Sequence, residues 1–144
     1  MAKQKQPSSS RRQQVAVALQ RAARAAQTAQ QLQGRDVLVL DMRKLTTLFD
    51  YFVLATGTSR RQLHAMSEEI DRVLEREMGD RRIGLEGYED SRWIVMDYGD
   101  VVVHLFDEAT RAYYALEELW AQARRVNWQR VLTRMSAAND QQKS

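Results

Sequence analysis

Residues 93–106 read WIVMDYGDVVVHLF, two apolar runs joined by the short polar link YGD at 98–100. Valine, isoleucine and aromatic residues favour strands, and a three-residue link whose glycine can take a positive φ is typical of a hairpin turn. The segment therefore predicts two antiparallel strands, Arg92–Asp97 and Val101–Phe106.

The first strand of this hairpin has two different faces. Trp93, Val95 and Asp97 lie on one side. Ile94 and Met96 lie on the other, because successive side chains of a strand point in opposite directions. If Ile94 and Met96 face the helices, Trp93 stands on an open face and has the character of a binding hot spot. The alternative, that the indole only fills core volume, stays open.

Outward from the hairpin, further apolar runs bring the number of predicted strands to five: Val37–Met42, Tyr51–Thr56, Arg82–Gly87, Arg92–Asp97 and Val101–Phe106. A helix is predicted at residues 60–78, with Ser59 and Gln62 as a capping box and Gly79 as its end. A strand-helix-strand unit needs a right-handed crossover and a parallel pair, so the sheet is mixed.

Two more helices complete the prediction. The last helix follows the fifth strand, with Asp107 as its cap and a buried stripe of Tyr113, Leu116, Leu119, Trp120 and Ala123. The first has a thin stripe of small and apolar residues from Val15 to Ala29, and Gly34 is its predicted stop. An acid-free start is also typical of an organellar transit peptide, but the periodicity runs directly into the first strand, which favours a helix. The fold class is α/β, a mixed five-stranded sheet with ββαββα core order behind an N-terminal helix.

The length of 144 residues leaves room for one domain. We expect residues 13–125 to form it. We expect residues 1–12 to be a disordered basic tail and residues 126–144 to be a basic, partly disordered extension with enough apolar side chains for a short helix.

Charge is segregated along the chain. Residues 1–35 carry seven Lys or Arg and no Asp or Glu, residues 36–123 carry ten basic and eighteen acidic residues, and residues 124–144 carry five basic residues and one acidic residue. An acidic body suits a basic protein partner better than a phosphate backbone, although the basic ends could touch nucleic acid. The alternative is that the ends only add solubility.

Composition excludes several classes of site. There is no Cys for a disulfide or thiolate, and His64 and His104 are too few for a histidine-rich metal site. No window reaches the length of apolar residues that a membrane span needs, and no secretion leader is visible, so the expected location is cytoplasmic.

Enzyme signatures are weak. Gly57 lies between a strand and a helix, where a phosphate can bind, but neither a Gly-Lys-Ser/Thr ending nor three spaced glycines are present. There is no Asp-x-Asp pair to hold two metal ions. Asp97 and Asp100 flank a turn, where aspartate usually bonds its own backbone, and His104 is expected to be a partly buried histidine of the sheet.

Longer motifs closely resemble the ribosomal silencing factor family, also called Iojap or RsfS. They are DYFVLATGTS at 50–59, Glu86-Gly87, WIVMDYGDVVVHLF at 93–106 and YYALEELW at 113–120. The resemblance covers roughly residues 13–123.

This resemblance implies a nucleotidyltransferase-like fold without catalytic carboxylates, and a function that needs no catalytic residue, cofactor or metal. It implies a translational repressor that binds the fourteenth protein of the large ribosomal subunit and blocks joining of the small subunit. The partner surface that it implies comprises Glu86, Trp93, Asp97, Tyr98, Gly99 and Asp100. Contact of the basic tails with ribosomal RNA, and pairing with a second copy, stay open.

Two other functions remain as alternatives. One is a nucleotide-handling transferase that uses Ser59 and an unusual set of carboxylates. The other is a general RNA-binding module driven by the basic ends.

Overall fold

The computed structural model describes residues 8–142, and within them the chain forms five helices and six strands. In chain order these are α1 (Ser8–Gln31), β1 (Arg35–Asp41), β2 (Tyr51–Gly57), α2 (Arg60–Met78), β3 (Gly84–Glu86), β4 (Trp93–Asp97), β5 (Val101–Asp107), α3 (Glu108–Tyr114), α4 (Leu116–Leu119), β6 (Arg124–Arg125) and α5 (Trp128–Gln142). Across residues 8–142, no helix combines the length and the apolar character that crossing a bilayer requires.

The sheet has the strand order β3-β4-β5-β2-β1-β6. The β2–β5 pair is parallel and the other pairs are antiparallel, including the predicted β4–β5 hairpin, so the mixed α/β class is confirmed. Six strands replace the predicted five, because the two-residue β6 is too short to show a pattern. Three strands follow α2, so the core order is ββαβββα, and the predicted ββαββα counted one strand too few.

Each face of the sheet carries its own hydrophobic cluster. On one face, α1 and α2 pack on the central strands, and side chains such as Val53, Ile94 and Val103 point toward them. On the other face, Leu54 and Phe106 belong to a smaller cluster that α4 covers in part. The predicted alternation in β4 is confirmed, because its two sets of side chains belong to different clusters.

Helix α1 is buried on several sides because its side chains are small. Ala18, Ala22, Ala23, Ala25, Ala26 and Ala29 are all fully buried. Alanine lets the backbone of α1 approach α2, the sheet and α5 closely. The helix begins at Ser8, so the predicted disordered tail at 1–12 is helical over its last five residues; residues 1–7 lie outside the described chain.

The C-terminal extension also belongs to the fold. Trp128 is only 4% exposed and lies in the same cluster as the α1 alanines, with Val131 and Leu132 packed beside it. The predicted short helix is confirmed and runs on to Gln142, whereas the structure differs from the partly disordered extension expected at 126–144. Residues 143–144 lie outside the described chain.

The predicted N-cap and C-cap of α2 are confirmed, but the capping box forms only in part, because the Gln62 side chain accepts from the Thr58 N–H at 2.6 Å and not from that of Ser59. The Ser59 hydroxyl accepts a hydrogen bond from the Gln62 N–H at 3.0 Å, and Gly79 ends the helix in the left-handed conformation, with φ 65°. A Cβ on Gly57 would lie 2.7 Å from a methyl carbon of Leu63, so this glycine lets α2 pack against the end of β2. At the end of α1, Gln33 takes the left-handed conformation and the Gly34 N–H donates to the Ala29 carbonyl.

The region after β5 differs from the single helix predicted there. Ala115 adopts φ 44° and separates α3 from α4. The buried guanidinium of Arg111 donates to the Thr56 hydroxyl at 2.8 Å and to Glu117 at 3.2 Å, which fixes both short helices. As a result Tyr113 is 83% exposed, and its predicted place in a buried stripe is wrong.

We predict that Ala22→Leu lowers the free energy of unfolding by about 1–3 kcal/mol, because the added carbons have no space between α1 and its neighbours. The matched control is Ala16→Leu, on the exposed side of the same helix, which should change stability by less than about 0.5 kcal/mol. Urea denaturation followed by circular dichroism measures both. Equal stability of the two variants would contradict the close packing of α1.

Candidate functional site

The outer half of one sheet face, on β3 and β4, is the candidate site. Glu86 lies opposite Val95 in the β3–β4 ladder, and Trp93 and Asp97 share the same face by strand alternation. Glu86 is exposed and the other three are half-buried. On this face α3 packs against β2 and β5, and Tyr114 of α3 also reaches Trp93. We call these four residues the acidic face.

The indole of Trp93 is held in place from one side. Its Nε1 donates a hydrogen bond to Nδ1 of His104 at 3.0 Å, and its ring lies near those of Phe106 and Tyr114, at centroid distances of 5.1 and 4.9 Å. Trp93 is therefore neither a plain core residue nor a freely moving surface residue. Its orientation is fixed before any partner arrives, which reduces the entropy lost on binding.

His104 acts as the anchor of this tryptophan. Burial among aromatic rings lowers the pKa of His104 to about 4, so the ring is neutral near pH 7. Because Nδ1 accepts the indole hydrogen bond, the ring proton is assigned to Nε2, which has no hydrogen-bond partner among the described residues. A buried imidazole in this state orients a neighbour, in agreement with the expected histidine of the sheet.

A groove of about 380 Å³ adjoins the acidic face. Its lining includes Gly87, Asp90, Trp93, Tyr113 and Tyr114. Gly87 has φ 76°, and a Cβ there would lie 1.9 Å from the Trp93 carbonyl oxygen, so only glycine permits this close turn. We call this the tyrosine groove. The sequence analysis did not predict that Tyr113 and Tyr114 lie on the surface. It missed them because helix propensity gives no sign that the helix breaks at Ala115.

The hairpin turn divides the predicted site residues. The carboxylate of Asp97 accepts the N–H of Gly99 at 2.8 Å, and Gly99 has φ 85°, so both residues shape the turn, as expected for aspartate there. Asp100 is exposed, but it borders a different groove beside α1, together with Arg21 and Leu48. The structure therefore brings Glu86, Trp93 and Asp97 together and places the rest of the turn elsewhere.

Tyr98 was predicted to belong to the partner surface, but the structure buries it. Its side chain is 5% exposed and belongs to the core cluster on the helix-covered face. Its hydroxyl donates to Asp71 at 2.7 Å, and burial together with this bond raises the pKa of Tyr98 well above its usual value. A side chain buried in this way stabilises the hairpin from the helix-covered face of the sheet and contributes no contact surface.

The region around the acidic face is negatively charged. Residues 84–97 contain four carboxylates and one arginine. Within residues 8–142, no group of three or more His, Asp or Glu side chains is arranged to hold a metal ion. The aromatic groove therefore lies beside a carboxylate-rich strand pair, whose charge is complementary to a basic surface.

The mixed sheet and the helices that pack on it define an α/β domain. The sequence profile described as "Ribosomal silencing factor during starvation" matches residues 15–144. This chain belongs to the ribosomal silencing factor family.

Individual relatives agree with this assignment. The ribosomal silencing factor of Halalkalibacterium halodurans is 39% identical over 100 residues, which cover 69% of this chain and 85% of the relative. That of Chromobacterium violaceum is 41% identical over 96 residues, covering 67% and 78%. A crystal structure of a Chromobacterium violaceum protein superimposes with a TM-score of 0.64 at 40% identity, covering 67% of this chain and 80% of that one. The chain is thus a ribosome-associated factor, and its family is named for silencing of the ribosome.

We predict a pH-dependent stability that originates at His104. In the unfolded chain the pKa of His104 is the ordinary value of 6.5, whereas burial in the folded protein lowers it to about 4. Between these values the unfolded state holds more protons, so the free energy of unfolding should fall by about 3 kcal/mol as the pH drops from about 6.5 to about 4, and the contribution is complete above that range.

Urea denaturation over this pH range tests the prediction. His104→Phe removes the titrating group, so its stability should depend less on pH by the same amount, although it is less stable at pH 7 because Trp93 loses its acceptor. Taking the difference between the two proteins cancels the titration of carboxylates. Parallel curves for the two proteins would contradict the prediction.

Proposed function

We propose that this protein represses translation by binding the fourteenth protein of the large ribosomal subunit and occupying the surface where the small subunit docks. The observation that carries the proposal is the pairing of the acidic face with the tyrosine groove, in a chain of the ribosomal silencing factor family. The setting proposed for this activity is the cytoplasm.

The chemistry of the site supports a protein partner with a basic surface. Carboxylates around β3 and β4 would steer such a partner toward the acidic face, because complementary charges raise the rate of encounter. Aromatic side chains then supply most of the affinity, since tyrosine and tryptophan are enriched among binding hot spots. Tyr113, at 83% exposure, is the most exposed aromatic side chain of the tyrosine groove.

The mechanism is steric. A bound protein of 16.7 kDa prevents joining by occupying space, so it requires no turnover, metal or nucleotide. It requires that the protein stay bound to the large subunit for longer than an encounter with the small subunit lasts. A preorganised face favours slow dissociation, because Trp93 is already fixed by His104.

Truncation of the tyrosine groove should weaken this binding. We expect Tyr113→Ala to raise the dissociation constant for isolated large subunits by at least about tenfold, as for a hot-spot aromatic. Leu48→Ala is the matched control, because Leu48 is 81% exposed and lies outside the groove. Co-sedimentation of labelled protein with subunits over a concentration series gives both constants. Equal weakening by the two variants would argue against the groove as the contact.

Charge reversal should reduce the block of subunit joining. In a light-scattering assay of purified subunits, wild-type protein should lower the yield of joined ribosomes, and Glu86→Lys should need a several-fold higher concentration for the same effect, because it repels a basic partner. The control is Glu75→Lys, the same charge change at an exposed position of α2. Full joining at saturating wild-type protein would refute the steric mechanism.

A further inference from the structure

The edge of the sheet opposite the acidic face carries a cluster of arginines. The fold joins the two basic ends of the sequence there, because α5 packs on α1 and β6 pairs with β1. A groove of about 470 Å³ lies between α1, β6, the start of β2 and the segment that follows β1, and its lining includes Arg11, Arg12, Arg43 and Arg124. We call it the arginine groove.

Two of these arginines are tied to carboxylates. Arg11 pairs with Asp50 at 2.8 Å. Arg43 makes two hydrogen bonds to Asp41, at 2.9 and 2.7 Å, and lies over the ring of Tyr51. These contacts fix the positions of both guanidinium groups, and each still has N–H donors that a carboxylate does not use.

The other two are available for a ligand. Arg12 and Arg124 are exposed, and neither lies within 4.0 Å of a carboxylate oxygen among residues 8–142, although Arg124 is the cross-strand partner of Asp41 in the β1–β6 ladder. They come from opposite ends of the chain and reach the same groove. The groove thus holds four guanidinium groups against two carboxylates, Asp41 and Asp50, that are already paired.

We propose that the arginine groove binds the phosphate backbone of RNA. Arginine presents planar pairs of N–H donors that match two phosphate oxygens, and several arginines along one groove suit a chain of phosphates. An anionic lipid surface is the less suitable occupant, since membrane docking needs an exposed apolar face and the groove's Val15 and Leu19 are half-buried.

The position of the groove separates this contact from the protein contact. Strands β3 and β6 are the two edges of a six-stranded sheet, so about 24 Å lies between them at a usual spacing of about 4.8 Å per strand. The protein can therefore place its acidic face on a basic protein and its arginine groove on nearby RNA at the same time. The RNA contact goes beyond the proposed protein contact and does not depend on it.

Fluorescence anisotropy of a short labelled single-stranded RNA, titrated with the full chain over a series of salt concentrations, tests the proposal. Wild-type affinity should fall steeply with salt. Arg12→Gln with Arg124→Gln removes two phosphate contacts, so the slope of log affinity against log salt should become shallower by about 1.4, and affinity at low salt should fall about tenfold or more. The matched control, Arg61→Gln with Arg76→Gln, makes the same charge change on α2 and should stay within about twofold of wild type.

Three results would overturn the proposal: no RNA binding by wild-type protein, equal loss in the control variant, or tighter binding to phosphatidylserine vesicles than to RNA. Circular dichroism melts check that both double variants fold, which we expect for exposed positions. Binding of each variant to the isolated fourteenth protein is measured in parallel. Loss of RNA binding alone supports the arginine groove, and failure of wild-type protein to bind the fourteenth protein counts only against the proposed function.

Discussion

The parallel ladder between β2 and β5 is the constraint on which the rest of the structure depends. Seven residue pairs run in register from Tyr51 opposite Val101 to Gly57 opposite Asp107. Strand β2 is buried along its whole length and β5 along all but its last residue. Because the pair is parallel, the chain must cross over between the two strands, and α2 makes that crossing on the face that α1 also covers.

The ladder also determines where the functional side chains lie. Strand β5 of the hairpin is fixed in the centre of the sheet by β2. Strand β4 therefore lies on the side toward the edge, with Trp93 on the less covered face. The end of β2 then positions the helices that follow β5, since Thr56 accepts a hydrogen bond from the buried Arg111. That buried guanidinium is satisfied by Thr56 and Glu117 together, as a buried charge must be. The tyrosine groove is thus a consequence of contacts made in the centre of the sheet.

The sheet separates opposite charges by placing them at its two edges. The acidic hairpin region lies with β3 and β4, and the arginine groove lies with β6 and α1. In the proposed contacts, this distribution would orient the molecule on a surface that contains both basic protein and RNA. The net charge of +3 describes neither edge, and a single value of net charge is a poor guide to how such a protein docks.

The sequence by itself determined the features that depend only on residues close to one another along the chain. The hairpin, the two faces of β4, the caps of α2 at Ser59 and Gly79 and the turn made by Asp97 all follow from the preferences of a few adjacent residues. The family motifs are local strings of the same kind. Each of these features is visible in a window of about ten residues, because the forces that create it act over that range.

Tertiary structure alone decided the features that depend on distant contacts. Ala115 breaks the last helix although alanine favours helices, since Arg111 is held by Thr56, 55 residues away in sequence. Tyr98 is buried because Asp71 of α2 lies beneath the hairpin, and β6 exists because β1 offers it an edge. The arginine groove forms only when the two ends of the chain meet, and no local pattern encodes that meeting. Local preferences are worth a few tenths of a kcal/mol per residue, and packing of distant elements overrides them where the two disagree.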